Sequence, residues 1–309
     1  MSEPRLADSG TPPSTPRALV GVLGGSGLYQ MDALQNACEV ALDTPYGRPS
    51  EVLVTGTVHA VPVAFLARHG RGHRLLPSEV PYRANLYALK MLGVKYVLSL
   101  SAVGSLREDF KRLDMVLPDQ FMDFTKRRES SFFGQGAVAH VSMADPVCAA
   151  TANALGRAVR QVLEQEAASG TDHGVTLHTQ GTYVCMEGPQ FSSRAESHMY
   201  RTLGGGVIGM TNLPEAKLAR EAQMAYATLA MVTDYDCWHP REAHVTATMA
   251  LENLLKNAGR AQLIAAEAIR LLGHEHPASE AHTALSQSLV TQPDAMAPDV
   301  RERLAVLLA

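Results

Sequence analysis

From Ala18 to Gly273 short apolar runs of β-type composition alternate with longer helical segments, which predicts an α/β domain around a largely buried central sheet. Composition agrees: the 309 residues are 46% hydrophobic and 19% charged, within the ordinary globular range. A third observation concerns placement. Five of the apolar runs end in a polar or glycine cluster, and open α/β sheets bind ligands beyond the carboxyl ends of their strands.

The elements follow in order. ALVGVLGG reads as the first strand, and VLVTGTVHAVPVAFLARHG as a hairpin of two. PYRANLYALKMLG is an amphipathic helix with proline at its start and Gly93 at its end, the positions helices prefer. KYVLSLSAVG is a strand and ADPVCAATANALGRAVRQVLEQEAA a long helix. VTLHTQGTYVCMEG reads as strand. SSRAESHMYRTLG is a helix with Ser193 and Glu196 at capping-box spacing and Gly204 at its end. GVIGM is a strand, NLPEAKLAREA a helix and AYATLAMVTD a strand. HVTATMALENLLKNAGRAQLIAAEAIRLLG is the last long helix, closing on Gly273. This gives a domain over residues 18–273. Residues 1–17, MSEPRLADSGTPPSTPR, are rich in Ser, Pro and Gly with no apolar core, so they read as a disordered arm rather than a signal peptide. Residues 274–309 form a C-terminal extension with two short helical pieces separated by TQPDAMAPD.

Several function classes drop out. A net charge of −4 gives no broad basic face for nucleic acid. No apolar run approaches the roughly 20 residues that span a bilayer. Cys38, Cys148, Cys185 and Cys237 form no CxxC pair, and the histidines show no HExxH spacing, so neither a metal site nor a disulfide framework is expected. Widely spaced cysteines of this kind fit a reducing, cytoplasmic compartment.

The five polar strand ends are Ser26-Gly27, Arg68-His69-Gly70, Ser101-Ala102-Val103-Gly104, Met210-Thr211-Asn212 and Thr233-Asp234-Tyr235-Asp236. Each has an ordinary reading as a tight turn, a solvated strand end or a hydroxyl that satisfies local backbone. Gly24-Gly25-Ser26-Gly27 matches neither GxxxxGK[ST] nor GxGxxG. Cys237 and Trp238, the single tryptophan, read most simply as core packing. Taken jointly, the ends would supply hydroxyls, a guanidinium, an imidazole, free N–H groups and two carboxylates. The expected pocket has a phosphate-sized anion site at one end and a carboxylate site at the other.

GVLGGSGLY, DTPYGRPS, LARHGRGHRLLPSEVPYRANLYALK, SAVGSLRED, MADP, EGPQFSSRAES, GMTNLPEAKLAREA and VTDYDCW occur in this order. Together they resemble the 5′-methylthioadenosine phosphorylase branch of the trimeric purine nucleoside phosphorylases. The resemblance implies a purine nucleoside phosphorylase-like fold, a mixed central β-sheet flanked by helices, assembled as a homotrimer. It implies phosphorolysis of 5′-methylthioadenosine to adenine and 5-methylthioribose 1-phosphate. Inorganic phosphate is then a co-substrate, and neither a cofactor nor a metal is needed. The partners are a small nucleoside and phosphate, not nucleic acid or membrane.

The resemblance also implies residue roles. Ser26, Arg68, His69, Ser101, Ala102 and Thr211 match the phosphate-binding positions. A hydroxyl remains at Ser26 and Ser101, where relatives often carry threonine. Met210 matches a residue under the ribose, Phe191 one beside the purine, and His73 and His140 positions near the 5′ end of the sugar, His140 reaching in from a neighbouring subunit. Asp234 matches the residue at purine N7, and Asp236 lies at the same base edge, able to accept from a 6-amino group. Relatives for 6-oxopurines carry asparagine at the position of Asp234 and glutamate at that of Ser192, so both residues point to adenine. If the stretch stays extended, Tyr235 faces away from the ligand. The alternatives are a phosphorylase for adenosine, 5′-deoxyadenosine or a 6-oxopurine nucleoside, a hydrolase of the same fold, and a non-catalytic nucleoside sensor.

Overall fold

The structure, a computed structural model, describes residues 17–25, 31–171, 174–242 and 245–309. Among these, eleven strands form one mixed sheet. Its centre is built from the four longest apolar runs: β1 (Val20–Gly24), β4 (Val61–Ala67), β5 (Tyr96–Ser105) and β11 (Ala225–Asp234). They are parallel, in the order β4-β1-β5-β11. β11 is buried along its whole length, as a strand covered on both faces must be. β3 (Leu53–Val58) joins β4 in the expected hairpin. Its turn is His59-Ala60, both at positive φ, as a two-residue hairpin turn requires.

Two elements mixed into this sheet run through the site. β10 (Gly205–Gly209) is antiparallel to the far half of β5, with Val207 opposite Ser105 and Ile208 opposite Gly104. β9 (Thr182–Cys185) pairs parallel to β10, and β7 (Gln120–Asp123) to β9.

Other pieces depart from the sequence reading. The single strand expected over VTLHTQGTYVCMEG is β8 (Leu177–His178) and β9, which pair with different neighbours. β2 (Gln35–Val40) and β7 carry no apolar run of their own length, β6 (Met115–Val116) is apolar but only two residues long, and all three exist through pairing. β2 is an exposed edge strand with a register shift between Gln35 and Cys38.

Six α-helices cover the sheet: α1 (Tyr82–Met91), α2 (Ala149–Ala168), α3 (Arg194–Thr202), α4 (Asn212–Glu221), α5 (Ala247–Glu275) and α6 (Pro298–Leu308). The ends of α1 and α3 are as read: Gly93 and Gly204 take positive φ just past them, and Ser193 with Glu196 closes a capping box. Gly273 is different. α5 continues through it to Glu275, and glycine stands there because a side chain would collide with Val61. The glycine admits a close helix–strand contact rather than ending the helix. Of the C-terminal extension, only α6 is an α-helix; the earlier piece is a 3-10 turn over Glu280–Thr283. α6 buries Val300, Leu304 and Leu307 in the main core, and Tyr87 on α1 donates to the Arg303 carbonyl at 3.0 Å. No described helix is long and apolar enough to cross a membrane.

Candidate active site

β5 positions everything. Its first half pairs with β1, the last pair being Leu23 with Ser99. Its far end pairs with β10 from the opposite direction. Carried on by three residues, that register brings Thr211 level with Ser101. The ends of β1 and β10 therefore approach each other on one side of β5 and leave Ser101–Val103 between them. Such a parting of neighbours is where open α/β sheets bind ligands. The sequence reading let YVLSL run into a polar cluster at Ser101 and expected a shared pocket where several strand ends meet at one edge. Instead β5 runs through Ser101 to Ser105, and β10 arrives antiparallel.

On the other side of β5, β11 runs parallel up to Asp234, which lies opposite Gly104. A register shift between Val232 and Asp234 re-aims the end of the strand. At about 3.3 Å per residue, the Ser101 and Asp234 ends stand about 10 Å apart along β5. Gly104 between them has a specific reason. A Cβ there would sit 2.9 Å from Asp234 Oδ1.

At the anion end Arg68 follows β4, its N–H bonded to the Gly24 carbonyl at 3.0 Å. Its guanidinium is buried and already engaged. Nε and Nη2 grip the two carboxylate oxygens of Glu215, and Nη2 also donates to Ser99 Oγ at 2.8 Å. Nη1 donates to the Leu100 carbonyl at 3.3 Å. Burial works against the Arg68 charge, but the Glu215 carboxylate more than offsets it and raises the Arg68 pKa. The fork expected to clasp phosphate is thus occupied by protein, leaving one Nη1 hydrogen to spare.

His69 is also specific. Its Nδ1 lies 2.8 Å from the Leu75 carbonyl, which can only accept, so Nδ1 carries the hydrogen. Burial, then the Arg68 charge, lowers its pKa to about 4. The neutral ring presents Nε2 as an acceptor, matched to the hydroxyl of a hydrogenphosphate rather than to a bare oxygen. Thr211 is the residue before α4, and its hydroxyl makes no capping bond, so it is available to a ligand. Ser101 Oγ shares a hydrogen bond with Tyr183 OH at 3.3 Å. Ala102 follows it on β5, opposite Met231. Ser26 lies outside the described residues.

At the carboxylate end Asp234 and Asp236 are both about 3% exposed. Asp234 Oδ1 accepts from the Asp236 N–H and Oδ2 from Thr233 Oγ1, each at 2.7 Å. Burial raises its pKa, with a smaller contribution from the Asp236 charge; the two hydrogen bonds oppose this. Asp236 is raised by burial as well. Ser192 and Ser197 lie beside it, and their hydroxyls oppose that rise. The chain does not stay extended here, since Asp236 has φ of 50°. Tyr235 turns out to pack edge-on against Trp238, with ring centroids 5.9 Å apart. Trp238 donates to the Ser105 carbonyl at 2.8 Å and packs in a small cluster with Leu106, Val184, Tyr200 and Ile208. It anchors the loop that carries both acids.

Between the ends lies Met210, partly exposed after β10. Phe191 is 42% exposed, and Ser192 is buried next to Met186. His73 stacks on His69 with centroids 4.2 Å apart, which places it at the anion end. His140 stands apart, exposed on a segment bridged to the tail through its N–H and the Ser288 carbonyl, and its ring makes no hydrogen bond among the described residues.

Two residues were missed in the sequence reading. Glu215 is one. The other is Arg128, whose guanidinium is buried. Nη1 donates to the carbonyls of Met210 (2.5 Å) and Leu213 (2.7 Å), and Nη2 to those of Glu187 (2.7 Å) and Met186 (3.4 Å). It ties the loop after β10 to the loop after β9. No local signal marks either residue. GMTNLPEAKLAREA carries Glu215 within an ordinary amphipathic helix, and TKRRES offers three adjacent cations of which only one is internal.

The phosphorylase superfamily profile matches residues 19–270, well over half the chain. The chain belongs to this superfamily. Among superfamily relatives, an S-methyl-5′-thioadenosine phosphorylase from Synechocystis is 56% identical over 291 residues, covering 94% of this chain and 87% of that one. One from Geobacter sulfurreducens is 47% identical over 94% and 98% of the two chains. A crystal structure of methylthioadenosine phosphorylase sourced from an antarctic soil metagenomic library has a TM-score of 0.89 and 58% identity, covering 95% of this chain and 99% of that one. The Schistosoma mansoni methylthioadenosine phosphorylase in complex with adenine has a TM-score of 0.77 and 35% identity over 94% and 98%. The fold expected of the family, a mixed sheet between helices, is the fold observed.

Proposed function

We infer that the chain catalyses phosphorolysis of 5′-methylthioadenosine to adenine and 5-methylthioribose 1-phosphate. The carrying observation is the arrangement along β5: anion-binding groups around Ser101 and Thr211, and two buried carboxylates opposite Gly104 about 10 Å away. Relatives of matching name and length support the same reading. In the reaction a phosphate oxygen bonds to C1′ as the C1′–N9 bond breaks. Hydrogenphosphate loses its proton, and adenine gains one. Positive charge builds on the ribose beside the phosphate, and negative charge on the purine beside Asp234 and Asp236. A raised Asp234 pKa suits a group that holds or shares a proton with N7. Asp236 accepts from the 6-amino group. Ser26, Arg68, His69, Ser101, Ala102 and Thr211 hold phosphate, and Met210, Phe191, Ser192, His73 and His140 line the nucleoside site. No metal or organic cofactor takes part.

The test is a panel of methylthioadenosine, adenosine, 5′-deoxyadenosine, methylthioinosine and inosine, each with and without phosphate. Methylthioadenosine with phosphate is expected to turn over fastest. Product without phosphate would make the protein a hydrolase, and no turnover at all a sensor. A second reading, a preference shared with adenosine, is favoured by one relative named adenosine/methylthioadenosine phosphorylase, 35% identical; comparable rates for the two nucleosides would establish it.

The assembly follows the family as a homotrimer in the cytoplasm, with His140 serving a neighbour's site. Its exposure away from its own site supports this. Mixing inactive His140→Ala and Asp234→Ala proteins under exchange is expected to restore part of the activity, because mixed trimers contain intact sites. A fully active monomer in sedimentation would overturn the assignment.

A further inference from the structure

Glu215 is 1% exposed, lies on α4 and faces the anion end of the site without a role in the reaction described above. It collects four donors. Arg68 Nε bonds to Oε1; Arg68 Nη2 (3.2 Å), Ser99 Oγ (3.0 Å) and Tyr226 OH (3.0 Å) bond to Oε2. Ser99 touches both charged partners, accepting from Arg68 and donating to Glu215. A free arginine offers five N–H groups over many rotamers. Here Nε and Nη2 are consumed by Glu215, Ser99 and the Leu23 carbonyl, and one Nη1 hydrogen by Leu100. The guanidinium plane is thereby set, and among the described residues a single Nη1 hydrogen remains without a partner.

From this geometry we propose that Glu215 is the positioning residue of the phosphate site: it holds Arg68 so that one N–H, not a bidentate fork, serves the anion. The proposal rests on the phosphorolysis reading. It also gives the site its electrical character. Arg68 and Glu215 form a neutral pair, so phosphate is held by directed single donors, Thr211 and Ser101 among them, rather than by an unpaired cation. The role differs from that of a core ion pair because it acts on one substrate only. Glu215 makes no hydrogen bond to the Asp234 loop or to Met210, so the nucleoside end does not depend on it.

The experiment measures kcat and the KM for phosphate and for methylthioadenosine separately in wild type, Glu215→Gln, Arg68→Ala and the double variant. Glu215→Gln sets an amide donor against Arg68 donors and frees the guanidinium. The KM for phosphate is expected to rise at least about tenfold, the worth of one hydrogen bond to a charged group, while that for methylthioadenosine moves less than about threefold. Arg68→Ala is expected to raise the phosphate KM as well, and the double variant to be no worse than Arg68→Ala alone, since the two residues act as one unit. Ser99→Ala, which removes the bridge but no charge, gives a smaller shift of the same kind and serves if Glu215→Gln does not fold. Both KM values rising together, an unchanged phosphate KM in the folded variants, or additive effects in the double variant would overturn the proposal. A wild type that needs no phosphate would instead remove the reading on which it rests.

Discussion

Asp234→Asn loses at least about a hundredfold in turnover of methylthioadenosine, the low end of what a general acid contributes. The same change costs much less with methylthioinosine or inosine, because an amide still hydrogen-bonds N7 and also donates to a 6-oxo group. The measurement is the ratio of kcat/KM for 6-amino and 6-oxo substrates in both proteins. A ratio that fails to move toward the 6-oxopurine would show that Asp234 does not read the base edge. The structure supplies the reason for expecting a folded variant. Asp234 receives one bond from a backbone N–H and one from the Thr233 hydroxyl, and an asparagine can keep the first and donate to the second. Stability carries a sign of its own. Burial raises the native pKa of Asp234 above its ordinary value of 3.8, so its favourable contribution is present at low pH and is lost as pH rises through the native pKa. At neutral pH the variant, freed of a buried carboxylate, is expected to melt no lower than wild type. Its advantage shrinks on acidification. A stability gain paired with lost activity is the usual signature of a strained catalytic group.

Arg128→Met is expected to lose on the order of a hundredfold in kcat/KM through misplacement of the site loops. It is also expected to lose stability, roughly 1–3 kcal/mol for each buried carbonyl left without a donor. Four carbonyls, those of Met186, Glu187, Met210 and Leu213, lose a donor at once, and among the described residues only Glu187 and Leu213 have a second side-chain donor, in Ser78 and Cys185. Two of them flank Thr211, and the other two precede the segment that carries Phe191 and Ser192. Arg128→Lys keeps the charge, but a single ammonium cannot span the same carbonyls as a planar guanidinium. It is therefore expected to recover stability better than activity. Calorimetry with steady-state kinetics on both variants checks this. Wild-type kcat/KM in Arg128→Lys would show that the loops hold their places without the fork.

What could be read locally was read from the sequence. The capping box of Ser193 and Glu196 satisfies helix-end donors within one turn, so it needs no partner from elsewhere. The four central strands are predominantly apolar runs, as burial on both faces favours. The hairpin over residues 53–67 turns on two residues between its own strands. The ordered motifs from GVLGGSGLY to VTDYDCW pointed to the superfamily and hence to the mixed sheet.

Tertiary structure decided the rest. β2, β6, β7 and β8 lack an apolar run long enough to be read as a strand and take strand form from a neighbour's free edge. Gly273 signals a helix end until Val61 is packed against it. That Thr211 comes level with Ser101 depended on β10 arriving antiparallel at the far end of β5. Arg68 announced a phosphate fork, but Glu215, 147 positions away, takes that fork. His69 was legible only as an imidazole at the anion site; the Leu75 carbonyl fixes its hydrogen on Nδ1 and leaves Nε2 an acceptor. Local pattern shows which groups a segment must bury or expose. A polar side chain's remaining hydrogen-bonding capacity depends on partners distant in the chain, and only the folded arrangement brings them into contact.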